Sequence, residues 1–349
     1  MHLAVSPRRE PNQPRHTPIP EPFEIIPFST DGFFYSAARR LRKIFRRWDA
    51  DAIFVTTNRE HLIAATACRI TGNGSVVRWT PAGKRLTLSL GGWWASRLAP
   101  TAYLFASQAD RRASEIPKNA IDADIAEIGV NVTDYPTEKA REPEAVSEPP
   151  GENKPVDETK PAAEPASYIF CVYDPTARGR AATAIRTISM LAPRHPNLRL
   201  TIVGPGSDDE DLRMQAAALR VLHLVSFLGE RDDQISLMQN SHLGWVVANE
   251  DTGVYGILDL MALGIPTVAS EGGIAQRYIA HGISGALYPP DDSASTAATV
   301  AGMLKSKEAR EAMGRAGRTR VAREFPESAT IEAFDRIANT ARTRVRRQG

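Results

Sequence analysis

The sequence predicts an α/β chain of two domains built on parallel sheets, and three observations predict it. Short β-branched runs alternate with stretches of helical length in both halves, a proline- and glutamate-rich segment divides them, and 349 residues is about twice the size of an average domain. Composition narrows the class further. Hydrophobic residues at 42% and charged residues at 24% are ordinary globular values. No run of 18 apolar residues occurs, so no membrane-spanning helix is expected. Two cysteines, Cys68 and Cys171, are too few for a disulfide framework or a cysteine zinc site. A balance of 43 Lys+Arg against 41 Asp+Glu leaves +2, too even to indicate a nucleic-acid partner. The first twenty residues hold no apolar core of signal-peptide length, so a cytoplasmic location is expected.

Residues 1–21 read as a disordered tail, and 22–136 as the shorter α/β domain. Its strands are FEIIPF (23–28), DAIFVTT (51–57), SVVRW (75–79), AYLFAS (102–107) and IAEIGV (125–130), with helices near 36–48, 59–70 and 108–116. His61 falls in the second of these helices, where a surface position is the simplest reading. The helix at 36–48 places Leu41, Ile44, Phe45 and Trp48 on one face and six basic residues around the rest. Such a helix either packs on the sheet with its basic face in water, the favoured reading, or makes peripheral contact with an anionic membrane, on its inner face if cytoplasmic.

Residues 137–166 contain six prolines, eight acidic and four basic residues and no aromatic, a composition that cannot offset its own ordering entropy and reads as a disordered linker. From 167 to 349 the alternation is clearer. Strands are read at 168–173, 198–204, 221–227, 243–248 and 266–270, with helices such as RAATAIRTISMLA (180–192) and ILDLMALG (257–264) between them. The tail, 293–347, has helical period with breaks near Gly314, Gly317 and Pro326.

The chemically informative stretch is 248–282, ANEDTGVYGILDLMALGIPTVASEGGIAQRYIAHG. Two strand-to-helix turns lie at the carboxyl ends of neighbouring parallel strands, where open α/β sheets bind ligands. Helix N-terminal amides favour anions there, and Gly253, Gly256, Gly272 and Gly273 allow backbone to approach a diphosphate. Asp251 sits in the first turn and Asp259 two helical turns further on, a spacing that lets one carboxylate face the transferred group and the other hold a ribose. Dipole-favoured acids at a helix start and a solvated Asp259 are the plain structural alternative.

With these residues in place, the second segment resembles the donor-binding domain of family 4 glycosyltransferases, which have the GT-B fold of two Rossmann-like domains. The string DTGVYGILDLMALGIPTVASEGG corresponds to the family's two-carboxylate motif, helix and Gly-Gly turn. LRLTIVGPGSDDEDL resembles its strand and Gly-x-Gly turn at Gly204 and Gly206, VSFLGERDD its Phe-x-Gly turn, and GISGALYPPDD and EAMGRAGRTRVAREF its closing segments. The resemblance implies that Asp251 contacts the sugar as the catalytic carboxylate, that the backbone from Thr252 to Gly256 touches sugar or phosphate, and that Asp259 holds the ribose. It implies a diphosphate clamp at Arg178, with Arg180 close by, while Tyr173 stands where the family has arginine. No metal and no cofactor is implied beyond the nucleotide-diphosphate sugar as substrate.

The first segment resembles a shortened N-terminal acceptor domain of the same family, without the opening strand and Gly-Gly loop. VVRWTPAGK carries Arg78 and Lys84 where the family often has a histidine. Both motif carboxylates are Asp in place of Glu, each shorter by roughly 1.5 Å, and Gln276 replaces a customary Glu. The leading expectation is a retaining glycosyltransferase that moves a sugar from a nucleotide-diphosphate sugar to a glycan or lipid-linked acceptor. The alternative is a catalytically impaired relative that binds nucleotide sugar or a partner glycosyltransferase. A nucleotide-sugar epimerase is a third, weaker reading, against which the DLMALGIPTVAS string stands.

Overall fold

The computed structural model describes residues 2–5, 24–27, 33–48, 50–72, 74–82, 84–87, 89–136, 167–247 and 253–346. The 137–166 linker therefore lies outside the described residues, as do Asp251 and Thr252. The chain divides into two compact units, one of residues 1–128 and 327–349, the other of residues 129–326. Both differ from the boundaries read from sequence. The exit segment around 129–136 belongs to the second unit, and the last helix belongs to the first.

The first unit begins with a parallel pair, β1 (His2–Val5) and β2 (Glu24–Pro27). A strand thus lies within the stretch read as a disordered tail. Next come α1 (Phe34–Trp48), β3 (Ala52–Val55), α2 (Asn58–Thr71), β4 (Ser75–Thr80), α3 (Leu90–Leu98), β5 (Thr101–Phe105), α4 (Gln108–Ala113) and β6 (Ala123–Ile125). The sheet runs β3-β4-β5-β6, all parallel. Residues alternate across it. Val55 and Val76 pack with Ala37, Ala38, Leu41, Phe45 and Ile63 on one face, whereas Val77, Ala102 and Leu104 pack with Ala333, Ile337 and Ala341 on the other.

Those last three residues lie on α12 (Glu327–Arg346), and this explains its place in the first unit. Its buried residues recur at spacings of four, so one stripe covers the sheet face that α1–α3 leave open. Thr330 donates to the Glu127 carbonyl at 2.6 Å and Arg336 pairs with Asp124 at 2.8 Å, fixing the helix in register. On the opposite face, α1 buries Leu41 and Phe45 in the core. Ile44 is half-buried, and α1 packs on α2 in line with the favoured reading.

In the second unit the order is β7 (Ser167–Tyr173), α5 (Arg178–Leu191), β8 (Leu198–Val203), α6 (Glu210–Ala218), β9 (Val225–Phe227), α7 (Gln234–Gln239), β10 (Leu243–Val247), α8 (Val254–Ala262), β11 (Thr267–Ser270), α9 (Ala275–Tyr278), β12 (Gly285–Tyr288), α10 (Ser293–Leu304) and α11 (Lys307–Glu324). Its parallel sheet has the order β12-β11-β10-β7-β8-β9. The sequence run at 221–227 yields only a three-residue strand, because Leu222–Leu224 turn as a 3-10 helix first. One sheet face carries Ile169, Cys171, Tyr173, Leu200, Ile202 and Trp245 against α5 and α10. The other receives α8 at close range, since a Cβ on Gly256 would meet Val172 and one on Gly244 would meet Leu260.

Gly314 and Gly317, read from sequence as helix breaks, lie inside α11 and are buried. They are contact points. A Cβ on Gly314 would run into the Gly264 carbonyl, and one on Gly317 would approach the Ser284 carbonyl at 3.1 Å. Helix α11 therefore reaches the turn after α8, where Gly264 takes φ +73° and stops that helix. Among the described residues no helix is long and apolar enough to cross a membrane. Both cysteines are buried and unpaired.

The Gly314 contact is testable. Gly314→Ala is expected to cost about 1–3 kcal/mol by overpacking and to lower the melting temperature. The control Gly302→Ala sits in α10 with open space around its Cβ and is expected to be neutral or stabilising. Equal melting temperatures for the two variants would remove the role given to Gly314.

Candidate nucleotide-sugar site

In the second unit the strand order reverses at β7, which pairs with β8 on one side and β10 on the other. Crossovers leave in opposite directions from this point, so the loops after β7 and β10 diverge and open a crevice at the carboxyl ends of the strands. Those sequence-predicted groups that are described lie on the loops and helices that follow these strands.

After β7, Asp174 donates its backbone N–H to Val247 at the end of β10, and its side chain accepts from the Thr176 amide at 2.8 Å and hydroxyl at 2.7 Å. This local turn launches α5 with Arg178 as its first residue. Arg178 donates to Asp211 at 2.5 Å and lies 2.9 Å from Asp209, both from the SDDED run at the start of α6. The hydrogen bond to Asp211, followed by the Asp209 charge, raises its already high pKa. Arg180, two residues on, donates to the Ser270 hydroxyl at 2.5 Å, at the end of β11. It thereby reaches the Glu271-Gly272-Gly273 turn, whose glycines have φ +110° and +49°.

Gly204 takes φ +145°, and a Cβ there would collide with the Tyr173 carbonyl. Only glycine lets the turn after β8 approach the end of β7 this closely. Gly206, at φ +71°, has open space where a Cβ would stand. Gly253 caps α8 at φ +83° without a side-chain bond. Gly256 is buried against Val172, which accounts for its lack of side chain by helix–sheet packing.

Asp259 lies on the second turn of α8, and its carboxylate accepts from the Tyr135 hydroxyl at 2.5 Å. Burial raises the Asp259 pKa, and the Tyr135 bond opposes that rise. Tyr135 follows a 3-10 turn at Val132–Asp134, and Arg318 of α11 holds that turn in place. One guanidinium nitrogen donates to Val132 at 2.7 Å and Tyr135 at 3.3 Å, and the other to Ala262. Sequence reasoning missed Tyr135, Ser270 and Arg318. The acidic SDDED run was the only visible signal for a partner to Arg178; nothing in the sequence pairs residue 135 with 259.

A polar group in the first unit also departs from expectation. His61 is 1% exposed rather than on a helix surface. The Thr101 hydroxyl donates to the Ala99 carbonyl, so its oxygen accepts from His61 Nε2, 3.1 Å away, which fixes that nitrogen as protonated. Tyr103 meets the ring edge-on. Arg78, beside Tyr103 in the sheet register, is 7% exposed, and its hydrogen bonds to Val55, Trp79 and Asn58 are long, at 3.4–3.5 Å. Among the described residues, no group of three or more His, Cys, Asp or Glu is placed to hold a metal ion.

A parallel sheet of this order, reversing at its central strand, is Rossmann-like, and the fold of the chain is GT-B. Residues 160–320 match the family described as Glycosyl transferases group 1. The chain is 35% identical over 146 residues to phosphatidyl-myo-inositol mannosyltransferase of Mycolicibacterium smegmatis, covering 40% of this chain and 36% of that protein. It is 30% identical over 145 residues to glycogen synthase of Mycobacterium tuberculosis, covering 41% and 35%. The chain thus spans little more than a third of these curated relatives. Among solved structures, a glycosyltransferase from Rickettsia africae superposes with a TM-score of 0.73 at 15% identity, over 91% of this chain and 85% of that one. Anabaena HepE in complex with UDP and glucose gives 0.67 at 18%, over 91% and 85%.

His61 makes a pH prediction. Burial, and then the nearby Arg78 charge, lower its pKa to about 4 from 6.5. Between these values the unfolded chain takes up a proton that the folded unit does not, so stability falls as pH drops from 6.5 towards 4. The full loss is about 3 kcal/mol. In urea titrations across this window His61→Gln is expected to flatten the decline; an unchanged slope would show that His61 does not govern it.

Proposed function

We propose that the protein is a glycosyltransferase that takes a nucleotide-diphosphate sugar as donor and a glycan or lipid-linked molecule as acceptor, with retention at the anomeric carbon. The observation that carries this reading is the coincidence of the family match at 160–320 with the crevice where β7 and β10 part. The donor's bond between anomeric carbon and diphosphate oxygen breaks, the acceptor hydroxyl oxygen bonds to the anomeric carbon, and its proton passes to the departing nucleoside diphosphate. Arg180 and the glycine turns before α8 and α9 are suited to the leaving charge, because amide dipoles and a guanidinium are fixed there before reaction. They stand in for a metal. Asp259 is assigned to the ribose hydroxyls, displacing Tyr135, and Asp251 to the sugar. The fit to UDP is supported by HepE, whose structures hold UDP, glucose or UDP-glucose. The reading is of a cytoplasmic enzyme of polysaccharide or glycolipid synthesis.

One observation favours the second reading, a relative that binds without catalysing. Arg178 is held by two aspartates and Asp259 by a tyrosine, so two donor-site groups are engaged before any donor arrives. Shorter motif carboxylates add to it, since misplacement of about 1 Å can cost ~10²-fold in rate.

Thermal shift of the full chain with UDP, GDP and ADP separates these readings from neither. At least one nucleotide is expected to raise the melting temperature, and Asp259→Asn to weaken that nucleotide roughly tenfold, the scale of a charge-assisted hydrogen bond. Asp251→Asn is expected to keep binding and lose donor hydrolysis. Stabilisation by no nucleotide would remove the donor site. Equal hydrolysis by wild type and Asp251→Asn would leave only the binding role.

A further inference from the structure

Helix α3 is patterned inside out. Its small residues Gly92, Ala95 and Ser96 are buried, while Leu90, Trp93, Trp94 and Arg97 face outward. The outward set falls at i, i+3, i+4 and i+7, one continuous stripe of a helix. Leu90 is 83% exposed and Trp94 57%. The two indoles meet edge-on with centroids 5.3 Å apart, and the Arg97 guanidinium lies 3.9 Å from the Trp93 ring centre. The stripe is preformed: the Ser89 hydroxyl caps the helix by accepting from the Gly92 amide at 3.2 Å. A soluble surface leaves single apolar side chains in water, but two adjoining tryptophans and a leucine on one ridge call for an occupant.

The surrounding charge identifies it. Residues 33–98 hold twelve Lys and Arg against three Asp and Glu, although the whole chain is nearly balanced at +2. Lys84 and Arg85, in the loop before α3, are exposed. Helix α2 packs against both α3 and α1, so the three helices form one layer on one face of the sheet. In that layer α1 exposes Arg39, Arg40, Lys43, Arg46 and Arg47. Of the three acids, Glu60 is engaged in capping α2, accepting from the Thr56 and Thr57 amides at 2.9 and 3.0 Å. A second copy of this chain would bring the same positive face against itself, which is repulsive. An anionic bilayer offers the complement: headgroup charge for the basic residues and an interfacial zone for indole rings, which have an apolar body and a polar N–H.

We infer that the α1–α3 face of the first unit docks on anionic membrane lipid, with Leu90, Trp93 and Trp94 of α3 inserting at the interface and the basic residues of α1 and the α3 loop facing the headgroups. The inserting element is thus α3, since α1 buries Leu41 and Phe45 of its own apolar side in the core. This holds whether or not the second unit proves catalytic, because none of these residues belongs to the nucleotide site.

Flotation of the full chain with vesicles of equimolar phosphatidylglycerol and phosphatidylcholine, and with phosphatidylcholine alone, tests it. Binding is expected to the anionic vesicles only, to weaken at high salt, and to shift tryptophan emission to the blue. Trp93→Ser/Trp94→Ser is expected to bind roughly tenfold more weakly, with its circular dichroism and melting temperature close to wild type because both rings are at the surface. The single variant Trp94→Ser serves if the double variant is unstable. Absence of binding to anionic vesicles at low salt overturns the inference, as does unchanged binding by the folded tryptophan variants. So does a wild-type dimer that these variants convert to monomer, which would make a second copy the occupant.

Discussion

The candidate site depends on one topological constraint: the crossovers that leave the neighbouring strands β7 and β10 run in opposite directions, to β8 and to β11. Parallel strands joined by right-handed crossovers can diverge in this way only where the strand order reverses. Everything at the site is arranged by it. Asp174 ties the end of β7 to Val247 of β10, Gly204 brings the β8 turn onto the Tyr173 carbonyl, and Arg180 spans to Ser270 on β11. Helix α8 lies close to this sheet because Gly244 and Gly256 have no side chains to hold it off. Asp259 is therefore drawn inward far enough for burial to raise its pKa.

A second set of contacts holds the helix that bears Asp259. Gly314 of α11 reaches the carbonyl of Gly264, and Arg318 joins Ala262 to the Val132 and Tyr135 carbonyls. One arginine thus sets both the end of α8 and the tyrosine that meets its carboxylate. In the other unit α12 supplies what the short sheet lacks, a second covering layer over Val77, Ala102 and Leu104.

Strands with strong β-branched patterning were legible in the sequence, as was α8, whose end is marked by Gly264 and Pro266. The failures share a physical cause. Glycine signals a break locally, yet Gly314 and Gly317 are helical because a neighbour needs the space, and Gly91 and Gly92 open α3 behind a serine cap. Leucine and tryptophan patterning assigns a helix face to the core, but in α3 the large residues face outward. His61 reads as a surface residue because burial of a neutral imidazole depends on Thr101, forty residues away. The Tyr135–Asp259 bond spans 124 residues and leaves no local trace.

The central claim is that a nucleotide diphosphate sits where β7 and β10 part and that Asp259 exchanges a tyrosine for a ribose. A crystal structure of the full chain soaked with the nucleotide that stabilises it tests this most directly. The account predicts ribose hydroxyls within hydrogen-bond distance of the Asp259 carboxylate, the Tyr135 hydroxyl displaced, and Arg180 turned from Ser270 to the diphosphate. A nucleotide bound elsewhere, or one bound there with the Tyr135–Asp259 hydrogen bond intact, would contradict it.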